Sequence, residues 1–551
     1  MKNFLLIIMI SLGINGFSQI PYNPLPDWES TPANRVSTGL GLADINGDGF
    51  KDMIVADGND ILRQHLTIHY NNGDGTFNLE PDWESADIDY HGHLAVADFN
   101  QDGWYDVAVS VYIGEAGFSE PGRLKVYYNQ GGELESSPSF ESMPFYTFSC
   151  AAGDANGDGW PDIAVACGEP YGEITDYGRI YYSDNGTFSD DNIWQSDIEM
   201  ASIDVEFGDI IQDGYLDVIF IGAGEPNYVY ASDNMGAIQS NPAWQSTDAE
   251  NNVNSVDIVY NDKIVPESHY VVMTGNDQLG GDGKVKLYVF YYEPYATEPE
   301  WESNYFGYGS GALFDDVNNN DTINLIYGGW WLPVNIALYQ GFGFEMNPSF
   351  TSSTGSVVEA IATADLSKNS VHNKIWHYTF NYHSNIFYIK DYDVESVDSV
   401  QHENNVLPDS AWTYIPGKNW ILLKERYSAG QHLFAYYKAS DHRDMVVTNW
   451  DQGKGNYIFY NQNTPVASEG HSEIAKTDIY PNPARNSLSV RSKKPLSQVS
   501  VYDITGRAIK VIDAYPKSNI EIDLHNLPDG CYFLTGIAEE EIFYKKFVVR
   551  H

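Results

Sequence analysis

Three stretches of this sequence put side-chain oxygens at alternate positions of a short turn. They are Asp44-Ile45-Asn46-Gly47-Asp48-Gly49-Phe50-Lys51-Asp52, Asp98-Phe99-Asn100-Gln101-Asp102-Gly103-Trp104-Tyr105-Asp106 and Asp154-Ala155-Asn156-Gly157-Asp158-Gly159-Trp160-Pro161-Asp162. The oxygens fall at loop positions 1, 3, 5 and 9, with glycine at position 6. This is chemistry for a hard cation. Ca²⁺ takes roughly six to eight oxygens at about 2.3–2.6 Å, and a tight turn with alternate oxygens facing inward supplies them. Glycine accepts the positive φ that lets the chain wrap back on the ion. The expected cofactor is therefore Ca²⁺, held by Asp44, Asn46, Asp48 and Asp52, by Asp98, Asn100, Asp102 and Asp106, and by Asp154, Asn156, Asp158 and Asp162.

The pattern fades along the chain. A fourth loop keeps the carboxylates of Asp209, Asp213 and Asp217 but has Ile211 at position 3, and reads as a partial site. No loop is recognisable near 257–271. A sixth, residues 316–324, has oxygens at the right places but one carboxylate among the four and no glycine; a seventh, 365–369, is weaker, and an eighth, 438–444, keeps mainly its last Asp. Affinity rises with carboxylate count, so these later loops are expected to be plain hairpin turns.

A second set of residues has the types that proton transfer needs. Tyr90, His91 and His93 precede the second loop, and His432 stands in the phase of His93 with Arg426 upstream. If a closed ring brought both ends of the chain together, these residues would share a pocket. Arg could then neutralise a uronate while His or Tyr moves protons in a β-elimination. The plainer reading is packed or solvated polar groups. No nucleophile elbow, His-Glu-x-x-His motif, phosphate loop or dinucleotide fingerprint is present.

The elements that hold these residues are β-strands. Short apolar runs flank each loop (40–43 and 53–56, 94–97 and 107–109), giving strand, ion loop, strand. An aromatic-x-Ser marker recurs in phase with the loops, at Trp28, Trp83, Phe140, Trp194, Trp244, Trp301 and Phe350, and Trp412 offers an eighth. A strand ending in Tyr closes most units, as in Lys125-Val126-Tyr127-Tyr128 and Asn385-Ile386-Phe387-Tyr388. All-β units of about 50–60 residues with about four strands each indicate propeller blades, which bury their sheet faces by stacking around an axis. The expected fold is all-β: a β-propeller of seven to eight four-stranded blades, with eight units counted, followed by a small C-terminal β-sandwich.

The Asp-x-Asn-x-Asp-Gly-x-x-Asp loop between strands, repeated in this way, resembles the FG-GAP/VCBS-type repeats of integrin α-like propellers. Gly168-Glu169-Pro170 and Gly224-Glu225-Pro226 resemble that family's Gly-Ala-Pro element. The resemblance covers about residues 25–463 and implies a Ca²⁺-braced propeller, classically of seven blades. Near the other end, Ile479-Tyr480-Pro481-Asn482-Pro483, Val501-Tyr502-Asp503-Ile504-Thr505-Gly506-Arg507, residues 523–533 and Lys545-Lys546-Phe547-Val548-Val549 occur in order. These are similar to the type A sorting domain of type IX secretion substrates in Bacteroidetes. That resemblance implies contact with the type IX machinery, export across the outer membrane and removal of the domain.

The domains then read as 1–19, a secretory signal with Lys2 and an apolar core at 4–10; 20–463, the propeller; 464–474, a linker; and 475–551, the sorting domain. No run approaches transmembrane length. With 30 Lys and Arg against 77 Asp and Glu, the formal charge is −47, which argues against a nucleic-acid partner. Cys150 and Cys167 flank the third loop, as either a disulfide or two buried thiols; Cys531 reads as a packed small hydrophobe. The expected product is a secreted or outer-membrane-surface Ca²⁺-binding propeller, non-catalytic, with an extracellular glycan or surface protein as partner. A secreted lyase acting on an acidic glycan is the alternative, and a purely structural adhesin stalk or surface-layer part the third option.

Overall fold

The computed structural model describes residues 20–462 and 478–550, apart from 234–235, 248–252, 262–267, 292–293, 321, 341–342, 392, 403–404, 481–483, 503–507, 526, 529 and 539–540. The signal at 1–19 and the linker at 464–474 lie outside the described residues. The chain divides into two compact units, Met1–Asn463 and Thr464–His551.

The first unit is a ring of seven antiparallel blades among the described residues. Blade 1 runs Ser37–Ala43, Asp52–Asp57, Leu66–His69, Trp83–Glu84 from the inside outward, and blade 2 runs His91–Ala97, Asp106–Gly114, Gly117–Tyr127, Phe140–Glu141. The inner strands of blades 3 to 6 are Thr147–Gly153, Ser202–Gly208, Val253–Asn261 and Gly309–Asp315. Blade 7 takes its three inner strands from Ser356–Ala364, Asp444–Asn449 and Tyr457–Phe459, and its outermost from Trp28–Glu29 at the other end of the unit. Every inner strand has a register shift near its start, at Ser37/Gly39, His91/Leu94, Thr147/Cys150, Ser202/Asp204, Val253/Ser255, Gly309/Gly311 and Val358/Ile361. Such bulges bend a strand and re-aim its side chains. One consequence is that Cys150 lies opposite Val165 while Cys167 lies opposite Thr147. The two cysteines are buried free thiols.

The aromatic-x-Ser marker has a physical meaning. Its aromatic residue sits on the short outer strand, and its Ser hydroxyl accepts an amide from the third strand: Leu66 N to Ser85 Oγ at 3.1 Å, Leu124 N to Ser142 Oγ at 3.0 Å, Val334 N to Ser352 Oγ at 3.0 Å. Asn456 N to Ser30 Oγ, at 2.9 Å, closes the ring in the same way. A two-residue strand is a weak ladder, and the hydroxyl pins it in register.

The eighth sequence unit is not a blade. Residues 365–443 are inserted between the first and second strands of blade 7 and build two small sheets. One pairs Val371–Thr379, His432–Ser440, Val394–His402 and Asn405–Val406; the other pairs Ser384–Tyr388, Trp420–Tyr427 and Trp412–Tyr414. The Trp412 and Asn385–Tyr388 markers therefore belong to the insert. The insert rests on the ion-loop face of the ring. Thr413 Oγ1 donates to Gly159 O at 2.9 Å, Tyr382 Oη to Asp209 Oδ2 at 2.7 Å, and the Lys51 ammonium reaches Asp393 and Glu395.

The second unit pairs Asp478–Tyr480, Ser487–Tyr502, Ala508–Asp523, Gly530–Ala538 and Glu541–Val549 in one sheet. Register shifts between Arg491 and Gln498 divide its longest hairpin into two arms. Leu488 and Val490 from one arm and Val499 and Val501 from the other share a single core with Leu534 and Val549, so one folded sheet supplies both layers of the expected sandwich.

Candidate functional site

The complete loops share one geometry. Position 4 has positive φ in all three, at Gly47, Gln101 and Gly157, and so does the position-6 glycine, at Gly49, Gly103 and Gly159. Position 6 donates its amide to the first Asp: Gly49 N to Asp44 Oδ2 at 2.8 Å, Gly103 N to Asp98 Oδ2 at 2.9 Å, Gly159 N to Asp154 Oδ2 at 2.7 Å. Position 5 takes the amide of position 7 in each loop, for instance Phe50 N to Asp48 Oδ1 at 2.8 Å. The last Asp acts as a clamp. Asp52 accepts Ile45 N at 3.0 Å on one oxygen and Asn71 N at 2.9 Å on the other, Asp106 does the same with Phe99 and Asn129, and Asp162 with Ala155 and Ser183. The ninth residue thus joins three strands of its blade whether or not an ion is bound.

The electrostatics ask for positive charge. Burial pushes the carboxyls of Asp52 and Asp106 up to about 7 and raises those of Asp44 and Asp98. Burial, and next the Asp158 charge, lifts Asp154 to about 7. Carboxylates crowded without a counter-ion favour the neutral form. Asp44 Oδ1 is buried without a hydrogen-bond partner, which in a folded protein calls for an explanation. A divalent ion would supply the missing partner and the missing charge, so the donors present fit calcium.

The fourth loop keeps the scaffold but is met by the insert. Gln212 and Gly214 have positive φ, and Asp217 Oδ2 accepts Ile211 N at 2.9 Å. However, the Tyr382 hydroxyl donates to Asp209, Arg426 donates to Asp213 O at 2.8 Å, and its guanidinium lies 3.6 Å from the Tyr215 ring centre. Burial still lifts Asp209 to about 7 and Asp213 to about 6, and raises Asp217. The sixth and seventh loops are also more than plain turns. Asn319 and Lys368 repeat the positive φ of position 4, and Asn324 and Asp444 repeat the clamp, accepting Val317 N and Leu366 N. Asp365 and Asp444, read from sequence as parts of two separate units, are the first and last residues of one loop that the insert divides.

The proton-transfer candidates are not brought together, because the unit carrying Arg426 and His432 is an insertion and not a blade beside blade 2. His432 is exposed on the insert, with its Nδ1 2.9 Å from Thr379 Oγ1 and 3.2 Å from His377 Nε2. His91 is buried, 2.8 Å from Asp57 O, and burial lowers its pKa. His93 lines the axis. Burial opposes its charge, but Asp204, with Oδ1 3.8 Å away, outweighs this and raises its pKa. Tyr90 packs with Tyr112, Ile113, Phe148 and Ile203.

That last cluster belongs to a feature that the sequence did not reveal. The axis ends differently on the two faces. On the ion-loop face the insert covers it, leaving a cavity of about 320 Å³ lined by Lys51, Glu206, Asp257, Asp393 and Lys418 among others. On the opposite face it opens into a second cavity of about 320 Å³. One wall holds Tyr112, Phe148 and Tyr171 from blades 2 and 3; the other holds Trp330 and Trp450 from blades 6 and 7. At the boundary of the two, Glu359 accepts Trp330 Nε1 at 2.6 Å and Trp450 Nε1 at 3.0 Å, fixing both indoles. Trp331 beside them is 54 % exposed and has φ of 58°. A bulky residue held in the left-handed region and turned to solvent is strained, and such strain collects at functional positions. The double Trp at 330–331 was the available sequence signal.

Comparison with known proteins agrees with this architecture. Residues 44–109 match the FG-GAP-like repeat, and residues 478–550 match the secretion system C-terminal sorting domain. This is an FG-GAP-repeat propeller protein exported by the type IX system. Among curated relatives, the FG-GAP propeller is similar to integrin alpha-7 of Homo sapiens, with 44 % identity over 85 residues, 14 % of this chain and 7 % of that protein. It is also similar to phosphatidylinositol-glycan-specific phospholipase D of Rattus norvegicus, with 30 % identity over 159 residues, 25 % of this chain and 19 % of that protein. The chain thus spans less than a fifth of the length of these relatives. Similar solved structures include BBS1N in complex with ARL6DN, at 10 % identity over 81 % of this chain and 98 % of that one with a TM-score of 0.43. PorZ, a surface component of the type IX secretion system of Porphyromonas gingivalis, aligns at 11 % identity over 94 % of this chain and 75 % of that one with a TM-score of 0.24. The sorting domain makes this a secreted or cell-surface protein, and no helix among the described residues is long and apolar enough to cross a membrane.

Proposed function

We propose that the exported FG-GAP propeller is a calcium-braced, non-catalytic binding protein that meets an extracellular ligand at its open axial mouth. The observation that carries this reading is the difference in lining at the two ends of the axis, charged beneath the insert on one face and aromatic with side-chain amides on the other. Calcium belongs to the three complete loops. Asp44, Asp48, Asp52 and their counterparts would hold it with the Asn of position 3, and its charge would relieve the raised carboxyls. In the fourth loop, Tyr382 and Arg426 supply donors and a positive charge beside the carboxylates, so no ion is assigned there.

Calorimetric titration of chelator-stripped protein should read three calcium ions per chain. Asp48→Ala, Asp102→Ala and Asp158→Ala should each remove one, because each is a position-5 carboxylate outside the strand clamp. Uptake that is unchanged in all three variants would defeat the metal assignment.

The acidic-glycan lyase reading has little support here. Arg426 is on the insert, His93 is at the axis, and among the described residues neither Lys nor Arg lines the mouth. Polygalacturonate and alginate incubated with the protein should give no rise in absorbance from an unsaturated product; a rise that His93→Ala abolishes would restore the enzyme reading.

A further inference from the structure

The chemistry of the mouth narrows its ligand. Among the described residues its polar lining is Asn59, Asp60, Asn254 and Gln278, three amides and one carboxylate, with no Lys or Arg. An amide offers a donor and an acceptor side by side, which is what a sugar hydroxyl presents in return. A uronate or sulfate would instead meet Asp60 with no cation to offset the repulsion. The side chain of Glu359 is already engaged by Trp330 and Trp450, with Asn254 Nδ2 at 3.4 Å from Oε1, so it orients the wall and is not left to bind a charge.

The apolar lining is aromatic on two sides, with neighbouring rings set edge to face. Trp450 lies 5.6 Å from Trp330 and 6.3 Å from Trp331, centre to centre. Across the axis, Tyr112 packs edge-on to Phe148 at 5.1 Å and to Phe118 at 6.0 Å, and Phe118 to Tyr171 at 5.9 Å. Tyr112 is held by Glu169, whose Oε1 accepts its hydroxyl at 3.0 Å. Aromatic faces bury the C–H face of a sugar ring while its hydroxyls stay on polar partners. A volume of about 320 Å³ is at the small end of ligand pockets, which run from about 300 to 1,000 Å³, and fits one or two sugar units better than a folded protein element.

We infer that the mouth is a subsite for a neutral saccharide, with Trp450 and Tyr171 as its aromatic walls and Asp60 and Gln278 as hydroxyl partners. This rests on the binding reading above and deepens it. It also turns the preference away from acidic glycans.

The full-length protein, its calcium loops filled, is applied to an array of β-glucan, galactomannan and xyloglucan, with alginate and polygalacturonate as acidic probes and trimethyl-lysine peptide as an organic-cation probe. Wild type should bind at least one neutral glycan. Tyr171→Ala, an exposed position on the lining, should weaken that binding at least tenfold, and Asp60→Asn should weaken it less. Binding to an acidic glycan or to the trimethyl-lysine peptide, lost in Tyr171→Ala, would overturn the neutral-saccharide assignment and keep the mouth as the binding site. Binding that Tyr171→Ala leaves unchanged, or no binding to any probe, would overturn both.

Discussion

Stripping calcium from the FG-GAP propeller should lower its melting temperature by ~5–9 °C. The size follows from mass action. A ligand that binds only the folded state adds ~1.4 kcal/mol per site at ten times its dissociation constant and ~2.7 kcal/mol at a hundred times. Extracellular calcium modules work near the first figure in millimolar calcium. Three sites then give ~4–8 kcal/mol. A ring of about 440 residues unfolds with an entropy of ~0.9 kcal/mol per kelvin, which converts that range to the stated shift. The loops have the means to transmit it: each ends on the Asp that clamps three strands, and each touches a neighbour. Asn71 Nδ2 of blade 1 reaches Leu366 O of blade 7 at 2.9 Å, and Asn129 Nδ2 of blade 2 reaches Ile45 O of blade 1 at 2.8 Å. The measurement is a thermal melt with EDTA and again after calcium is restored. Melts that coincide within a degree would remove calcium from the account and leave the loops as hydrogen-bonded hairpins.

The second large effect is expected from a single buried cation. Arg443 precedes Asp444 at the point where the chain returns from the insert to blade 7. Its Nε is 3.2 Å from Asp315 Oδ2 on the inner strand of blade 6, and its Nη1 is 3.5 Å from Asp393 Oδ2 on the insert. Nη1 also donates to the carbonyls of Ser440 and His442. The side chain is 5 % exposed and both carboxylates 2 %. Removing one partner of a buried pair leaves an uncompensated charge and costs ~3–5 kcal/mol. Arg443→Ala should therefore shift the urea midpoint downward by that equivalent. Arg443→Lys should recover part of it, because a lysine keeps the charge but not the planar fork. A midpoint that does not move in Arg443→Ala would mean that the insert is not docked on the ring through this residue.

The repeating parts of the fold were legible because each copy is local. Oxygens at fixed spacing, an aromatic followed by Ser, and an alternating strand ending in Tyr all lie within a blade, and the first two turned out to have hydrogen bonds of their own. Two features resisted because they depend on contacts far apart in sequence. The divided loop of blade 7 looked like two failing loops, since Asp365 and Asp444 are separated by the whole insert. The signal was complementary: one fragment kept only the first Asp and the other only the last. The markers inside the insert, Trp412 and Asn385-Ile386-Phe387-Tyr388, imitate a blade closely enough to have raised the count to eight. The mouth was invisible for the same reason. Tyr112, Tyr171, Trp330 and Trp450 come from four blades, and only ring closure makes them neighbours. His93, singled out because it breaks the repeat, does reach the axis, while Arg426 went elsewhere with the insert.

The closure strand of blade 7 bears on the order of events in the cell. Trp28 pairs with Ile458 and Glu29 with Tyr457, so the wheel is latched by segments made at opposite ends of its synthesis. Every intermediate that stops short of residue 459 has an unpaired edge and an open circle. The export label runs from residue 478 to 550, after the latch strand has ended at Phe459. A polypeptide terminated before the latch therefore has neither a closed ring nor its delivery address, and one terminated within the label has the first without the second.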